Sequence, residues 1–356
     1  MTHPATTAEV RERLWEAVAA GDEYDAVRTV RAALADGTDE ESLLLDVIAP
    51  VQHKVGEEWA ADRFTVAQEH AATAINERVV AALAHHRHWD TGQRGRVTVA
   101  CVDGEWHAFP ARLVAEVLRL RGWRVDYLGA QTPTPHLIAH LHHTDPQAVL
   151  LSSSLPTHLP RAHSAITACQ AVGVPVLAGG PAFGPGGRYA RALGADLWAA
   201  DAREAAAALE AGLARPAPSA VRQVVDDLPH LADQEYTMTV HSRGRLVKQT
   251  LTDLEDRFPA MRGYSDIQRE RTAEDIAHIV DFLATALYVD DAEVFTAFLT
   301  WTAGILQARR VPARSLLAGL DALMEQARDF PRTLGLLQDG ASAVRSHPVP
   351  RPDTRV

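Results

Sequence analysis

The residues best placed to do chemistry are Glu105, Trp106 and His107. They follow a run of β-type residues, Arg96-Val-Thr-Val-Ala-Cys-Val102, through Asp103 and Gly104, and an amphipathic helical pattern begins at Pro110. An imidazole on a loop at the end of a strand is a nitrogen ligand for a metal, and a carboxylate two residues earlier can orient its ring. Two further short elements stand in the same relation to later strand patterns: Ser152-Ser153-Ser154-Leu155 and Gly179-Gly180-Pro-Ala-Phe183. Hydroxyls can contact a polar ligand, and a glycine pair lets the backbone approach one closely. Upstream, nine residues separate Trp59 from Glu69-His70. An aromatic ring and a second carboxylate–imidazole pair therefore belong to one region.

The elements that must position these residues fall into three stretches. Residues 1–90 read as a four-helix bundle: Leu14, Val18, Val30 and Leu34 recur at helical spacing, Thr38-Asp-Glu-Glu41 reads as a capping box, and Ala72, Ile75, Val79 and Leu83 mark the last helix. Residues 94–214 alternate short apolar strands (97–102, 125–128, 148–152, 174–178, 196–200) with helical patterns, which predicts a doubly wound parallel sheet with ligands beyond the carboxyl ends of its strands. After a Pro-rich linker at 215–219, residues 222–342 are helical again, with apolar stripes at Ile276/Ile279/Leu283/Leu287, Val294/Phe298/Trp301/Ile305 and Leu316/Leu320/Leu323. Residues 343–356 read as a flexible tail. The expected class is multidomain α and α/β.

The 356 residues are long enough for several cores. A net charge of −11 argues against a broad nucleic-acid surface, and no apolar run approaches the roughly 20 residues that span a bilayer. The chain shows no secretory signal, and Cys101 and Cys169 read as buried free thiols, which places the protein in the cytoplasm. His85, His86 and His88, like His136, His140 and His143, read as solvated faces rather than zinc sites. No nucleophile-elbow sequence supports hydrolysis.

In order, Glu105-Trp-His107, Ser152-Ser153-Ser154-Leu155 and Gly179-Gly180-Pro-Ala-Phe183 resemble the cobalamin-binding fold shared by corrinoid methyltransferase modules, mutases and cobalamin photoreceptors. The resemblance implies that His107 ligates cobalt, while Asp103, Gly104, Glu105, Trp106, Ser152 to Leu155, Gly179, Gly180 and Phe183 surround the cofactor and its nucleotide tail. The family pattern has a glycine three residues after the histidine, where this chain has Pro110, and either Ser152 or Ser153 can fill the serine position. The Trp59…Glu69-His70 pattern resembles the helical cap of light-sensing transcription factors that use adenosylcobalamin, which implies that Trp59 shields the upper ligand and Glu69-His70 lie beside the adenosyl group. Those receptors carry a histidine directly after the tryptophan, and here that residue is Ala60. No N-terminal helix-turn-helix pattern is present, so direct DNA binding is not expected.

The helices beyond residue 253 resemble globin-like sensor domains, which include phycobiliproteins, through Asp275-Ile-Ala-His278, Asp290-Asp291, Trp301 and Arg309-Arg-Val-Pro312. The three-part arrangement resembles the photocobilins. That implies a bilin, biliverdin or a relative, contacted by Tyr264, Arg271, Asp275, His278 and Trp301 and held non-covalently, since no cysteine follows Cys169; haem on His278 is the alternative. The whole then reads as a cytoplasmic adenosylcobalamin photoreceptor with a second tetrapyrrole rather than an enzyme. It is expected to be a dimer acting on an unidentified signalling partner, without membrane or DNA contact. The alternatives are a corrinoid methyl-transfer protein, or a haem-globin sensor fused to a cobalamin domain.

Overall fold

A computed structural model describes residues 5–84, 94–216, 228–257 and 259–348. They form two compact units, Met1–Asp227 and Leu228–Val356.

In the first unit, a bundle of helices α1 (Thr7–Ala20), α2 (Glu23–Ala35), α3 (Glu40–Ser42), α4 (Ala49–Ala60) and α5 (Val66–Ala84) precedes the sheet. The sequence predicts four helices because α3 and α4 are joined by a π-helical segment, Leu43–Ile48, into one nearly continuous rod. Pro50 explains the widening: it has no N–H to donate to the carbonyl four residues back. The cap of this rod is Asp39, whose side chain accepts from Ser42 N, not the expected Thr38. At the other end, Thr65 and Gln68 exchange side-chain and backbone hydrogen bonds that open α5, so Glu69 and His70 stand in its first turn.

The sheet is parallel, in the order β2-β1-β3-β4-β5, with β1 Arg96–Cys101, β2 Arg124–Gly129, β3 Ala148–Ser152, β4 Val176–Gly179 and β5 Leu197–Ala199. Helices α6 (Phe109–Leu120), α7 (Thr134–Thr144), α8 (Leu159–Ala171), α9 (Arg188–Ala192) and α10 (Ala202–Ala211) connect and flank the strands. Strand order reverses between β1 and β3, which in such sheets makes the crevice where ligands bind. The register aligns Cys101 with Ser152, Ser152 with Gly179 and Gly179 with Ala199, so four strands end on one level at the carboxyl edge.

Bundle and sheet share one core. Leu14, Leu44, Val47, Ile48 and Val79 of the bundle pack in the same buried cluster as Val97, Val99, Leu113, Leu150, Ala202 and Ala206. Two bidentate pairs also cross the junction: Arg121 to Glu41 at 3.0 and 2.9 Å, and Arg203 to Asp46 at 3.1 and 2.7 Å. These half-exposed pairs fix geometry more than stability, since such pairs contribute about 1 kcal/mol or less each.

The second unit is all-helical: α11 (Glu235–Arg257), α12 (Asp266–Val289), α13 (Ala292–Ala308), α14 (Arg314–Gln326) and α15 (Pro331–Ser346). Its core holds Ile279, Leu283, Leu287, Phe295, Leu299, Leu320, Leu323 and Leu337. Buried Glu235 accepts from Arg332 N at 3.1 Å and from Thr333 N and Thr333 Oγ1 at 2.7 Å, which caps α15. One expectation changes here. Helix α15 continues to Ser346, past the expected start of the tail at 343. Trp301, on the apolar stripe with Val294, Phe298 and Ile305, is 52% exposed. Helix α11, with a mostly polar surface, lies within the stretch expected to be helical. The last residues of the tail, His85, His86 and His88, and most of the expected linker lie outside the described residues.

Candidate functional site

The loop after β1 is set by Glu105. Its carboxylate is fully buried, yet every bond it makes is a charge-assisted one. Oε1 accepts from His107 N at 2.9 Å and bonds His107 Nδ1 at 2.6 Å. Oε2 accepts from Ser154 N at 2.6 Å, Leu155 N at 3.1 Å and Ser153 Oγ at 3.2 Å. Burial alone would raise the carboxyl's pKa, but the hydrogen bonds from the His107 ring, His107 N, Ser154 N and Leu155 N outweigh it and hold the pKa down to about 2.

His107 follows from that. Its ring is fixed through Nδ1, the side chain is 56% exposed, and Nε2 has no hydrogen-bond partner among the described residues. The Glu105 hydrogen bond raises the ring's pKa above the usual value; burial opposes this, and the charges of Glu105 and of Glu69 add to it.

Around this pair, Gly104 adopts φ +85°, and a β-carbon there would strike Arg161, whose guanidinium donates to the Asp103 carbonyl at 3.4 Å. Trp106 is 75% exposed beside the histidine, and Leu155 is 39% exposed opposite it. Ser153 is the serine whose hydroxyl bonds Glu105, whereas Ser152 lines a cavity. That cavity, about 250 Å³, runs along the carboxyl edge among Leu45, Val99, Pro110, Leu151, Gly179 and Gly180. Pro110 occupies the first turn of α6, where proline is tolerated, so the departure from the family pattern is accommodated. Gly180 has φ +103°, and a β-carbon would sit 2.3 Å from the Ser153 carbonyl oxygen. Phe183 is fully buried.

Cys101 and Cys169 are buried, and burial pushes both thiols up to about 12, so neither supplies a thiolate. Sequence reasoning missed Tyr127, whose hydroxyl donates to the Ala108 carbonyl at 3.2 Å, and His158, whose pKa is lowered chiefly by burial. Neither stands at a spacing that would have singled it out.

In the cap, Trp59 ends α4 half-buried, and Glu69 bonds the His70 ring nitrogen Nδ1, leaving the His70 side chain 75% exposed. The turn between them is fastened by Arg63 on Glu58 and by Phe64 stacked on Trp15 at 5.8 Å.

The C-terminal candidates are less gathered. Arg271, Asp275 and His278 are exposed along α12, at spacings that share a helix face, and Tyr264 packs partly against Leu254, Met261 and Ile276. Asp281 is taken up by a bidentate pair with Arg243 at 2.6 and 2.8 Å.

The residues of the first unit fit a cobalamin: one imidazole fixed through Nδ1 whose Nε2 has no partner among the described residues, an exposed ring beside it, and a cavity at the sheet edge lined by Ser152, Gly179 and Gly180. Comparison with known proteins agrees. Residues 95–210 match the B12 binding domain family, and residues 10–84 match a second B12 binding domain family. The chain is 24% identical over 217 residues to the trimethylamine corrinoid protein of Methanosarcina barkeri, covering 59% of this chain and 99% of that one. It is 26% identical over 156 residues to trimethylamine corrinoid protein 1 of Methanosarcina acetivorans, covering 43% and 72%. The Methanosarcina barkeri monomethylamine corrinoid protein has the same fold, with a TM-score of 0.51 at 19% identity over 58% of this chain and all of that one. The protein is corrinoid-binding, similar to the trimethylamine corrinoid proteins: a helical cap on a parallel-sheet B12 binding domain.

Proposed function

We propose that this chain carries a corrinoid for methyl transfer, with His107 as the lower cobalt ligand and the helical cap over the opposite face. One observation carries the reading: His107 is locked through Nδ1 by a buried carboxylate and presents Nε2 unpartnered at the strand-order reversal. The kinship with trimethylamine corrinoid proteins supports methyl as the cargo. When bound, the cobalt supplies the exchange of its upper group. The chain's residues do the rest. Glu105 orients the imidazole and holds the Ser153–Leu155 turn, the cavity lined by Ser152, Gly179 and Gly180 takes the nucleotide tail, and Trp59 with the first turn of α5 excludes water from the other face.

A second reading, an adenosylcobalamin photoreceptor, is favoured by Glu69, a carboxylate held in the first turn of α5 by Thr73 Oγ1 at 2.9 Å and by the His70 ring. A fixed carboxylate accepts hydrogen bonds from ribose hydroxyls and offers nothing specific to a methyl group. In that reading light releases the upper group, the cap relaxes, and a dimer or partner interface changes. The helices of residues 228–348 would then hold biliverdin, or haem, without a covalent bond, through Tyr264, Arg271, Asp275, His278 and Trp301. Absorption spectra of the full chain with methylcobalamin and adenosylcobalamin, dark and illuminated, separate the readings. Methyl transfer predicts exchange from methylcobalamin in the dark; light sensing predicts a photoproduct only with adenosylcobalamin. A spectrum unchanged by His107→Ala in both forms would defeat both.

A further inference from the structure

The chain turns from α13 into α14 through residues 309–313, and this turn and the end of α15 enclose a cavity of about 630 Å³. Arg310, Arg314, Arg345 and His347 line it, and no carboxylate does. None of the three arginine side chains makes a hydrogen bond or ion pair among the described residues. His347 Nδ1 is shielded from solvent and also has no hydrogen-bond partner. In a chain of net charge −11, cations gather around one cavity without an anion.

Helix ends account for part of this. Arg345 lies in the last turn of α15, where a cation offsets the negative end of the helix dipole. Arg310 and Arg314 are different. Arg310 follows α13 at φ 60°; its N–H donates to the Gln307 carbonyl at 2.9 Å, and Val311 N donates to the Leu306 carbonyl at 2.8 Å. Glycine usually takes that place, because a side chain there is strained. Arg314 is the first residue of α14, so its charge stands at the positive end of that helix, and no side chain caps the turn. Glycine at the one position and an uncharged residue at the other would suit the fold better. An anion in the cavity gives both cations and the bare helix end a partner.

The chemistry of that anion follows from the donors. A phosphomonoester brings three acceptor oxygens and a charge of about −1.5 to −2, which several guanidinium groups can share. A carboxylate brings less of both. The other walls, Val311, Pro312, Leu317 and Val344, are apolar. The volume falls in the range of roughly 300–1,000 Å³ typical of small-molecule sites. We propose that this cavity binds a small molecule in which a phosphomonoester is joined to an apolar body, with Arg310, Arg314 and Arg345 on the phosphoryl oxygens. The site is separate from the corrinoid-binding residues, and none of the residues suggested for a bilin lines it.

Calorimetric titration of the full chain with phenyl phosphate, inorganic phosphate and benzoate tests this. Phenyl phosphate should bind, and the other two at least about tenfold more weakly. Arg314→Gln and Arg345→Gln should each weaken phenyl phosphate about tenfold, the loss of one charged hydrogen bond. Arg245→Gln, on α11 outside the cavity, should bind as wild type does. Arg310→Gly should weaken binding yet raise the melting temperature of the unliganded chain, an opposition of sign that a purely structural arginine would not give. No heat with phenyl phosphate at millimolar concentration would overturn the proposal. So would undiminished binding by Arg314→Gln and Arg345→Gln, or an equal loss in Arg245→Gln, which would mean diffuse attraction. Benzoate or inorganic phosphate binding as tightly as phenyl phosphate would overturn the assigned ligand class. Biliverdin uptake that falls in the arginine variants while phenyl phosphate fails to bind would give the cations to propionates instead.

Discussion

Glu105 Oε2 and Ser154 N lie 2.6 Å apart, across the point where the strand order reverses. One buried carboxylate thus ties the ligand-bearing loop after β1 to the turn after β3. Its pKa falls from 4.5 in the unfolded chain to about 2 in the fold. A depressed carboxyl pKa contributes stability that is fully present above the unfolded value and is lost as pH falls through the folded one. The cofactor-free wild type should therefore lose on the order of 3 kcal/mol between about pH 4.5 and 2 that Glu105→Gln does not lose. Urea melts across that range check it; parallel pH profiles would refute it.

His107→Ala removes the one imidazole the fold fixes at the sheet edge. Cobalamin affinity should fall by about tenfold to a hundredfold, and the bound spectrum should show no histidine coordination. Titration followed by absorbance reads both.

Gly180→Ala forces a β-carbon against the Ser153 carbonyl at 2.3 Å in a left-handed backbone conformation. The expected cost is roughly 1–3 kcal/mol in thermal or urea unfolding. Cobalamin binding should weaken as well, because the same backbone shift moves the Ser153–Leu155 turn that Glu105 holds. A variant as stable and as competent as wild type would show that the loop yields freely.

Trp59→Ala takes an indole from the end of α4 without touching the sheet. The upper group of bound cobalamin should be lost severalfold faster in light, with the lower-ligand spectrum unchanged. Equal photolysis rates in the two proteins would remove Trp59 from the cap.

The C-terminal unit should take up biliverdin without a bond to cysteine. The pigment should bind Cys101→Ser and Cys169→Ser chains equally and leave on denaturation. A sharp Soret band with haem and no response to biliverdin would assign the unit to haem instead; indifference to both would exclude a pigment role.

Local pattern carried the strands, the loop after β1 and most helices of the first unit into view, because a buried parallel sheet writes itself as short apolar runs such as Ala148–Ser152. It could not show that Glu105 reaches Ser153, Ser154 and Leu155, since those bonds cross about fifty residues of chain. The helix cap fell on Asp39 rather than Thr38 because both residue types cap and only the backbone angle chooses. Helix α11 falls inside the stretch expected to be helical, but its mostly polar surface offers no apolar stripe from which to read its bounds.

The common core of bundle and sheet limits how the upper face can be uncovered. Swinging the whole bundle away would expose Leu44, Val47 and Ile48 together with Val99 and Leu113, and would break the Arg121–Glu41 and Arg203–Asp46 pairs. The bundle is not a hinged door. Access is then expected from the short turn between α4 and α5, where Asp62 sits at φ 59° and Arg63 on Glu58, backbone bonds to Glu57, Glu58 and Trp59, and the stack of Phe64 on Trp15 hold the chain. Any partner or light signal that acts on the corrinoid has to work through those few residues, with the rest of the bundle as a fixed wall.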